Sequence, residues 1–461
     1  MLFLKGINMK KKCSRKIPFI TRFLFFPISR ILGRKFPKYF KDLQKSQFYS
    51  IEKLREIQLR KLKNVFEIAY KNVDFYNELY KTQGLKLSEI NSLEDITKLP
   101  IINKKIYKIA YPKKSINREI NTKKIIENST SGSTGKPFVF VLNIDKKDRN
   151  EAIHIRNFEL TGYAFGRKYY SLWSFTPQES KISKIYKKII QRKKWLSCVN
   201  LSDEILENYS QLLMKNPNIY LDGYSSALVI LAKYMIKRGY KTNLCGVTSS
   251  AESLVPKHRE LLEQAFGSRV YNRYGTREFG GIAINCTEKK GLHINMESVI
   301  VEIVDSNGNP CKPGEKGRII ITDLENIVMP FIRYDTEDSA ALMKETCTCG
   351  RESIMLQPPS GRIVDTIRTP DGRHLSFGYF VLIFEDFPIV DQFQILQKSK
   401  DTIDLLIIKN KSFNEETFLP LLNKVVEYCK PMKVILKYVD KIPLEKSGKM
   451  RIVKGMDFSN V

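Results

Sequence analysis

The sequence predicts an α/β protein: a large N-terminal domain of layered sheets and helices with a β-rich subdomain, and a small α+β C-terminal domain. Three observations support this. The chain has 461 residues, enough for roughly two to four domains. Short apolar runs alternate with helical patterns through its middle, which is typical of layered α/β folds. The pattern becomes strand-rich from about Gly291 and changes again beyond Gly361. We expect a basic aromatic leader at 1–45, a large domain at 46–361 and a small domain at 362–461.

The composition is that of a soluble globular protein, with 42% hydrophobic and 28% charged residues. The formal net charge of +29 has two explanations, an affinity for polyanions or the lysine-rich composition of proteins from AT-rich genomes. Because no recognisable nucleic-acid module accompanies the charge, we expect no specific nucleic-acid partner. Eight cysteines without an ordinary secretory signal predict a cytoplasmic protein with reduced thiols.

The leader mixes basic and aromatic residues, and no apolar run in it approaches the roughly 20 residues of a spanning helix. Its aromatic side chains include Phe19, Phe23, Phe25 and Phe26. They either lie on an anionic membrane surface beside their basic neighbours, which would make the protein membrane-peripheral, or pack on the first domain. The sequence leaves both alternatives open.

The elements after the leader follow from their periodicity. Residues 50–82 have apolar positions spaced three and four apart, which predicts a helix, and 99–102 form an extended segment. The alternating part is predicted to have strands at 138–142, 169–174, 219–224 and 246–249 and helices at 227–237 and 256–266. The strand-rich part is predicted to have strands at 298–304 and 317–322 around a turn at 305–310. The last unit is predicted to have helices at 377–384 and 415–428 and strands at 393–396, 402–408 and 434–438.

A loop rich in hydroxylated residues and glycine, STSGSTGKP at 129–137, precedes the alternating part. Its small side chains would let a polyanion approach the backbone N–H groups, and its lysine adds positive charge. It is not the P-loop of kinases and GTPases, because only two residues separate Gly132 from Gly135. Taken alone, such a stretch is more often a linker than a phosphate site. The remaining motifs decide between the two.

Four further motifs follow the loop in order: YGTRE at 274–278, RYDTED at 333–338, GRIVD at 361–365 and SGKMR at 447–451. Together with the loop they resemble the ordered core motifs of the adenylate-forming (AMP-binding) ligases. The nearest likeness is to the branch of phenylacetate–coenzyme A ligases and their capsular polysaccharide (CapK-like) relatives. The resemblance covers roughly residues 95–455 and implies an acyl-adenylate synthetase fold with a mobile C-terminal domain.

The resemblance implies a task for each motif in the activation of a carboxylic acid by ATP. The loop would bind the β- and γ-phosphates, Tyr274 would flank the adenine, and Asp338 would accept hydrogen bonds from the ribose. Lys449 and Glu278 are the expected catalytic residues: Lys449 would reach the carboxylate and the α-phosphate, and Glu278 would hold Mg²⁺. The expected ATP- or AMP-binding residues are Ser131, Gly132, Ser133, Thr134, Gly135, Lys136, Tyr274, Gly275, Thr276, Asp338 and Arg362.

Three positions depart from the family pattern. Arg277 stands where a hydroxylated residue usually precedes the glutamate, so the residue that contacts the α-phosphate is open. Glu337 replaces a commoner glycine, and Val364 replaces a polar hinge residue.

Three cysteines and one histidine predict a metal site. Cys286, His293, Cys347 and Cys349 would supply three thiolates and one imidazole, a set that suits a tetrahedral structural Zn²⁺ with no open position. The alternative is scattered free thiols, since the spacing is not that of a standard zinc finger. A similar set recurs in the phenylacetate ligase branch, so the resemblance favours zinc.

The predicted function is ATP-dependent adenylation of a carboxylic acid to an acyl-AMP with release of pyrophosphate, followed by acyl transfer. The acceptor is either coenzyme A, as in an aryl–coenzyme A ligase, or an amine or hydroxyl of a glycan precursor in cell-surface polysaccharide biosynthesis. A non-catalytic nucleotide-binding relative is the alternative from another class. Such a relative would lack Lys449 or the loop, and this chain has both. The expected cofactors are ATP, Mg²⁺, structural Zn²⁺ and, for the first acceptor, coenzyme A.

Overall fold

The computed structural model describes residues 25–121, 125–129, 138–173, 192–198, 201–288, 290–359, 367–371, 374–375, 380, 383–384, 389–442 and 452–455. The α-helices in these residues are α1 (Phe26–Ile31), α2 (Phe36–Ser46), α3 (Ile51–Asn72), α4 (Asp74–Thr82), α5 (Lys104–Ala110), α6 (Ile144–Leu160), α7 (Asp203–Met214), α8 (Ser225–Lys237), α9 (Pro256–Phe266) and α10 (Glu415–Cys429). The first strands are β1 (Ile125–Ser129), β2 (Val139–Asn143), β3 (Tyr169–Trp173), β4 (Lys193–Ser197), β5 (Tyr220–Tyr224), β6 (Gly246–Ser250), β7 (Val270–Thr276), β8 (Gly280–Asn285) and β9 (Leu292–Ile294). The remaining strands are β10 (Val299–Val304), β11 (Gly317–Asp323), β12 (Tyr334–Ala340), β13 (Met355–Leu356), β14 (Ile367–Arg368), β15 (His374–Leu375), β16 (Val390–Gln397), β17 (Thr402–Lys409), β18 (Lys433–Tyr438) and β19 (Val453–Lys454).

An eight-stranded sheet with the order β13-β9-β8-β7-β6-β5-β3-β4 forms the centre of the large domain. Strands β4, β3, β5, β6 and β7 are parallel, whereas β8, β9 and β13 extend the sheet antiparallel. This confirms the predicted α/β class. Because the parallel strands share a direction, their carboxyl ends lie at one edge, which is where open α/β sheets bind ligands.

Helices cover both faces of this sheet. On one face α6 places Phe158 against the rings of Tyr169 and Tyr220, at centroid distances of 5.7 and 4.8 Å. On the other face the apolar residues of α8 and α9 share a buried cluster with Leu172 and Leu221. The two sets come from alternating positions of the same strands, as the two-residue period of a strand requires.

Strands β10, β11 and β12 form a separate antiparallel sheet, which confirms the predicted β-rich part. Its apolar residues join those of α3, α4 and α5 in one buried cluster. Arg333 links this sheet to the segment before α5. Its guanidinium donates to the carbonyl oxygens of Thr97 and Leu99 at 3.0 and 2.6 Å and pairs with the Glu302 carboxylate at 3.0 Å.

The helical pattern at 50–82 forms two helices rather than one. The Ser50 side chain caps α3 by accepting a hydrogen bond from the Lys53 N–H. At Val73 the backbone is extended, with φ −122° and ψ 109°, so the helix ends and α4 begins in a new direction. The predicted helical structure of this stretch is confirmed, but Val73 divides it into two helices.

The part of the leader that is described, from residue 25, belongs to the folded domain. Phe25, Phe36 and Phe165 pack in one aromatic cluster with residues of α6. The Arg34 guanidinium forms an ion pair with the buried carboxylate of Asp148, which lies on α6. Helices α1 and α2 are therefore fixed to α6 by both apolar packing and charge.

This packing bears on whether the aromatic residues of the leader contact a membrane or pack on the first domain. Phe25 is 1% exposed, so it packs on the domain and does not face a membrane, whereas Phe26 is partly buried against the same cluster. Phe19 and Phe23 lie outside the described residues. None of the helices in the described ranges combines the length and the apolar character that a bilayer-spanning helix needs.

The C-terminal unit has its own sheet, in the order β18-β17-β16-β19, and its own core. Helix α10 buries Phe418, Leu421 and Val425 against this sheet. Val255, which precedes α9 in the large domain, joins the same cluster. The strands predicted within β16, β17 and β18 and the helix predicted within α10 are confirmed. The helix predicted at 377–384 lies mostly outside the described residues. The domain boundaries at 45 and 361 stay predictions.

Candidate active site and metal centre

The YGTRE motif lies at the carboxyl edge of the central sheet, where β7 turns into β8. Tyr274, Gly275 and Thr276 end β7, and Glu278 lies in the tight turn. Only glycine fits at 275, because a Cβ there would lie 2.4 Å from the carbonyl oxygen of Gly280. The close approach of β7 and β8 fixes the turn that carries Tyr274 and Glu278.

The structure brings Tyr274 together with Asp338, from the RYDTED motif on β12. The Tyr274 hydroxyl donates a hydrogen bond to Asp338 Oδ2 at 2.7 Å, across 64 residues of sequence. Two residues that sequence reasoning assigned to the adenine and the ribose of one nucleotide therefore lie in direct contact.

Glu337, beside Asp338, has a left-handed backbone with φ +64°. A side chain makes this conformation unfavourable by about 1–2 kcal/mol, which only glycine avoids. This explains physically why a glycine is the commoner residue here. The Glu337 N–H donates to Asp335 Oδ1 at 2.8 Å, and that hydrogen bond helps to hold the turn.

Glu278 is 8% exposed. Among the residues that the structure describes, no hydrogen bond or ion pair involves its carboxylate. Carboxylate oxygen is the ligand that Mg²⁺ prefers. The environment of Glu278 therefore fits a bound Mg²⁺.

The two candidates for the α-phosphate contact differ in their surroundings. The Thr276 hydroxyl accepts a hydrogen bond from the Phe279 N–H at 3.3 Å, so it helps to hold the turn. Arg277 is exposed, and its guanidinium donates to the Ser129 carbonyl oxygen at 3.2 Å. Ser129 ends β1, directly before the hydroxyl-rich loop. Arg277 therefore lies at the junction of the YGTRE motif and that loop.

Several predicted site residues lie outside the described residues. They are Ser131, Gly132, Ser133, Thr134, Gly135, Lys136, Arg362 and Lys449.

Sequence reasoning missed a buried polar cluster on the face of the sheet that α6 covers, which we call the Arg273 cluster. The Arg273 guanidinium contacts Nδ1 of His154 on α6, donates to Ser250 Oγ at 3.2 Å and lies 3.5 Å from the Asp222 carboxylate. Trp173 Nε1 donates to the other Asp222 oxygen at 2.9 Å. These five residues form the cluster, and Asp222 and Arg273 are 2% and 9% exposed. A signal existed at one of them, because Asp222 interrupts an otherwise mainly apolar strand.

The four predicted metal ligands come together. Cys286 follows β8, His293 lies on β9, and Cys347 and Cys349 lie in the loop before β13. Their ligand atoms all lie within 4.8 Å of one another. Cys286 Sγ and Cys347 Sγ are 3.5 Å apart, and Cys349 Sγ lies 3.4 Å from His293 Nε2. The alternative of scattered thiols is therefore wrong for this set.

The protonation chemistry of the set fits a cation. Burial raises the pKa of the Cys286 thiol to about 12, so a nearby positive charge is needed to hold it as a thiolate at neutral pH. Burial, with Arg351 and Arg156 nearby, lowers the pKa of His293 to about 4, which keeps the imidazole neutral and able to ligate. His293 Nδ1 lies 2.8 Å from Ser353 Oγ, a contact that orients Nε2 toward the thiols.

The expectation that all thiols are reduced holds for part of the chain. Cys198, Cys286, Cys311, Cys347, Cys349 and Cys429 are free. Cys245 is disulfide-bonded, so the expectation is wrong at that residue.

Comparison with known proteins gives consistent relatives. Residues 367–455 match the family model of the CapK C-terminal domain. The chain is 25% identical over 364 residues to phenylacetate–coenzyme A ligase of Thermus thermophilus, with 77% of this chain and 80% of that protein covered. It is also 25% identical over 430 residues to protein CapK of Staphylococcus aureus, with 88% of this chain and 92% of that protein covered.

The fold is similar to that of solved acyl–coenzyme A ligases. A 2-hydroxyisobutyryl–coenzyme A ligase in the postadenylation state has a TM-score of 0.73 at 18% identity, over 90% of this chain and 92% of that chain. The same enzyme in an open conformation with an acyl adenylate and coenzyme A has a TM-score of 0.62, over 89% and 93% of the two chains. The predicted acyl-adenylate synthetase fold is confirmed.

Proposed function

We propose that this chain is an adenylate-forming ligase that activates a carboxylic acid with ATP, and its similarity to phenylacetate–coenzyme A ligases and to CapK supports this. The products are an acyl adenylate and pyrophosphate, and the acyl group then passes to an acceptor. The observation that carries the proposal is the Tyr274–Asp338 contact at the carboxyl edge of the sheet, with Glu278 in the same motif and its carboxylate without a hydrogen bond or ion pair among the described residues.

The nucleoside of ATP binds at Tyr274 and Asp338. Tyr274 lies against the adenine, and the Asp338 carboxylate accepts hydrogen bonds from the ribose hydroxyls. The 2.7 Å hydrogen bond between them supports this, because it fixes the orientation of both side chains before ATP binds. Gly275 and Thr276 keep the strand end close to the nucleotide.

The phosphates bind beside the hydroxyl-rich loop. Ser131, Ser133, Thr134 and Lys136, with Gly132 and Gly135, bind the β- and γ-phosphates. Arg277 contacts the α-phosphate in place of the family's hydroxyl, and its hydrogen bond to the Ser129 carbonyl oxygen supports this position. Glu278 would hold Mg²⁺, which would neutralise charge on the phosphate oxygens during the transfer.

The chemical step is attack of the substrate carboxylate oxygen on the α-phosphorus, with departure of pyrophosphate. Negative charge builds on the phosphate oxygens, so preorganised cations supply most of the catalysis. Arg277 provides one such charge, and Lys449, from the C-terminal domain, provides another at the carboxylate and α-phosphate. Arg362 contacts the nucleotide at the start of that domain.

Coenzyme A is the acceptor that most relatives support, since both the sequence relatives and the solved structures include coenzyme A ligases. An amine or hydroxyl of a glycan precursor is the second candidate. The CapK relative and the match to the CapK C-terminal domain favour that second candidate.

The cluster of Cys286, His293, Cys347 and Cys349 binds a structural Zn²⁺. Four protein ligands leave no open coordination position, so the metal would hold β8, β9 and the following loop together rather than take part in the reaction. The fit rests on the distances and on the donor set given above.

The test is acid-dependent exchange of labelled pyrophosphate into ATP, with Mg²⁺ and a panel of aromatic, aliphatic and amino acids. Lys449→Ala should cut exchange by at least about a hundredfold, as loss of a transition-state cation does, while ATP still binds. Lys441→Ala, at an exposed lysine of the same domain, is the matched control. Equal exchange in the two variants would remove Lys449 from the mechanism. Adding coenzyme A and measuring thioester distinguishes the two acceptors.

A further inference from the structure

The Arg273 cluster lies next to the proposed nucleotide site along β7. Arg273 directly precedes Tyr274 on β7, so their side chains point to opposite faces of the sheet. With the nucleotide at Tyr274, an acid bound at the same strand end has its side chain on the face of Arg273, under α6. This placement rests on the proposed adenylation function.

Polar atoms without partners line the same face. Ser171 Oγ and both side-chain polar atoms of Asn157 are buried and have no hydrogen-bond partner within the described parts of the chain. Ser171 pairs in register with Asp222 of the cluster. Asn157 lies three residues after His154 on α6, on the same side of that helix. Unpaired buried polar atoms in a native protein require an explanation, and a bound ligand is one.

The charge balance selects the kind of ligand. Asp222 and Arg273 carry opposite charges at 3.5 Å, so the pair is neutral. A second carboxylate of a substrate would be repelled by Asp222. An unsubstituted phenyl or alkyl group would leave the polar atoms of Ser171 and Asn157 buried and unpaired. A hydroxyl group both donates and accepts, so it matches Ser171, Asn157 and Asp222 without adding charge.

We infer that the acid substrate carries a hydroxyl group on its side chain, and that Ser171 and the Arg273 cluster bind this hydroxyl and thereby set the acid specificity. The cluster therefore determines which acid binds, and the residues at the strand end carry out the reaction.

The experiment compares acids in matched pairs that differ by one hydroxyl: phenylacetate with 3- and 4-hydroxyphenylacetate, and butyrate with 3- and 4-hydroxybutyrate. In the pyrophosphate exchange assay, at least one hydroxylated acid should have a kcat/KM about tenfold or more above its parent. Ser171→Ala should lower that preference about ten- to hundredfold, because one hydrogen bond to the substrate is lost. Ser298→Ala is the control, because its hydroxyl is also buried and unpaired among the described residues but lies before β10.

The ratio of the two acids is measured within one variant, so a partly misfolded preparation does not change it. If the unsubstituted parent acids supported exchange as fast as their hydroxylated partners do, the inference would be wrong and the adenylation function would stand. The same would follow if Ser171→Ala did not change the preference. If none of a broad acid panel supports exchange while ATP binds, the proposed function fails and the inference with it.

Discussion

Replacing Cys347 with serine should abolish stoichiometric zinc binding. In a regular tetrahedron with Zn–S near 2.3 Å and Zn–N near 2.05 Å, the ligand atoms are about 3.8 Å apart for two sulfurs and about 3.6 Å for sulfur and nitrogen. The corresponding distances here are 3.5 and 3.4 Å. These two of the six distances are within about 0.3 Å of the tetrahedral values, and all six are at most 4.8 Å. A hydroxyl in place of one thiolate removes a soft ligand.

The assay is metal content by elemental analysis after dialysis against a graded series of chelator concentrations. The wild-type protein should retain about one zinc per chain, and its thermal stability should fall when the metal is removed. Ser353→Ala, which removes the group that orients His293, should weaken zinc binding about 10- to 100-fold. Cys311→Ser, at a free cysteine outside the cluster, should have no effect on zinc content.

A wild-type protein purified without chelator that holds less than about a tenth of an equivalent of zinc would refute the reasoning. So would a Cys347→Ser protein that retains zinc as firmly as Cys311→Ser does.

Two further predictions concern charge. Arg277→Ala should lower kcat/KM for adenylation about 10- to 100-fold, because a charge-assisted hydrogen bond is worth about 1.5–3 kcal/mol, and Arg277→Lys should recover part of this loss. Arg55→Ala, at an exposed arginine, is the control. If Arg277→Ala had the same exchange kinetics as this control, the proposed phosphate contact would be wrong. Burial, and to a smaller extent the charge of Lys233, lowers the pKa of His258 to about 4, so below pH 6.5 the unfolded chain binds a proton that the folded chain does not. Stability should therefore fall by about 3 kcal/mol as the pH falls from 6.5 to 4, and His258→Gln should reduce this slope in urea unfolding at several pH values; an unchanged slope would contradict the assignment.

The sequence predicted well the elements whose burial is apolar. The strands that became β2, β10 and β11 contain short apolar runs, and they pack where such runs must pack. Helix α6 was not predicted, because its buried face carries charges that hide the apolar period. Lys146 and Asp148 are each 1% exposed, and the Lys146 ammonium pairs with the Asp323 carboxylate at 2.7 Å. Such a partner is 177 residues away and cannot be read from local pattern.

The candidate site divides in the same way. Residue type, the positions along the chain and the family resemblance together pointed to Cys286 and its three companion ligands, since thiolate and imidazole are specific donors. The Arg273 cluster depends on the register between β5, β6 and β7, which sets which side chains become neighbours. The left-handed backbone of Glu337 could not be foreseen either, because glutamate is a residue type that gives no signal for it.

Helix α6 makes contact with both proposed binding centres. Its last residue, Leu160, packs with Cys286 of the metal cluster, and His154, less than two turns earlier, contacts Arg273. If this helix shifts when zinc binds, the affinity of the proposed acid site for its substrate changes. By thermodynamic reciprocity, acid binding then changes the affinity for zinc by the same factor. A zinc ion with no role in the reaction would in this way affect how tightly the proposed acid site binds its substrate.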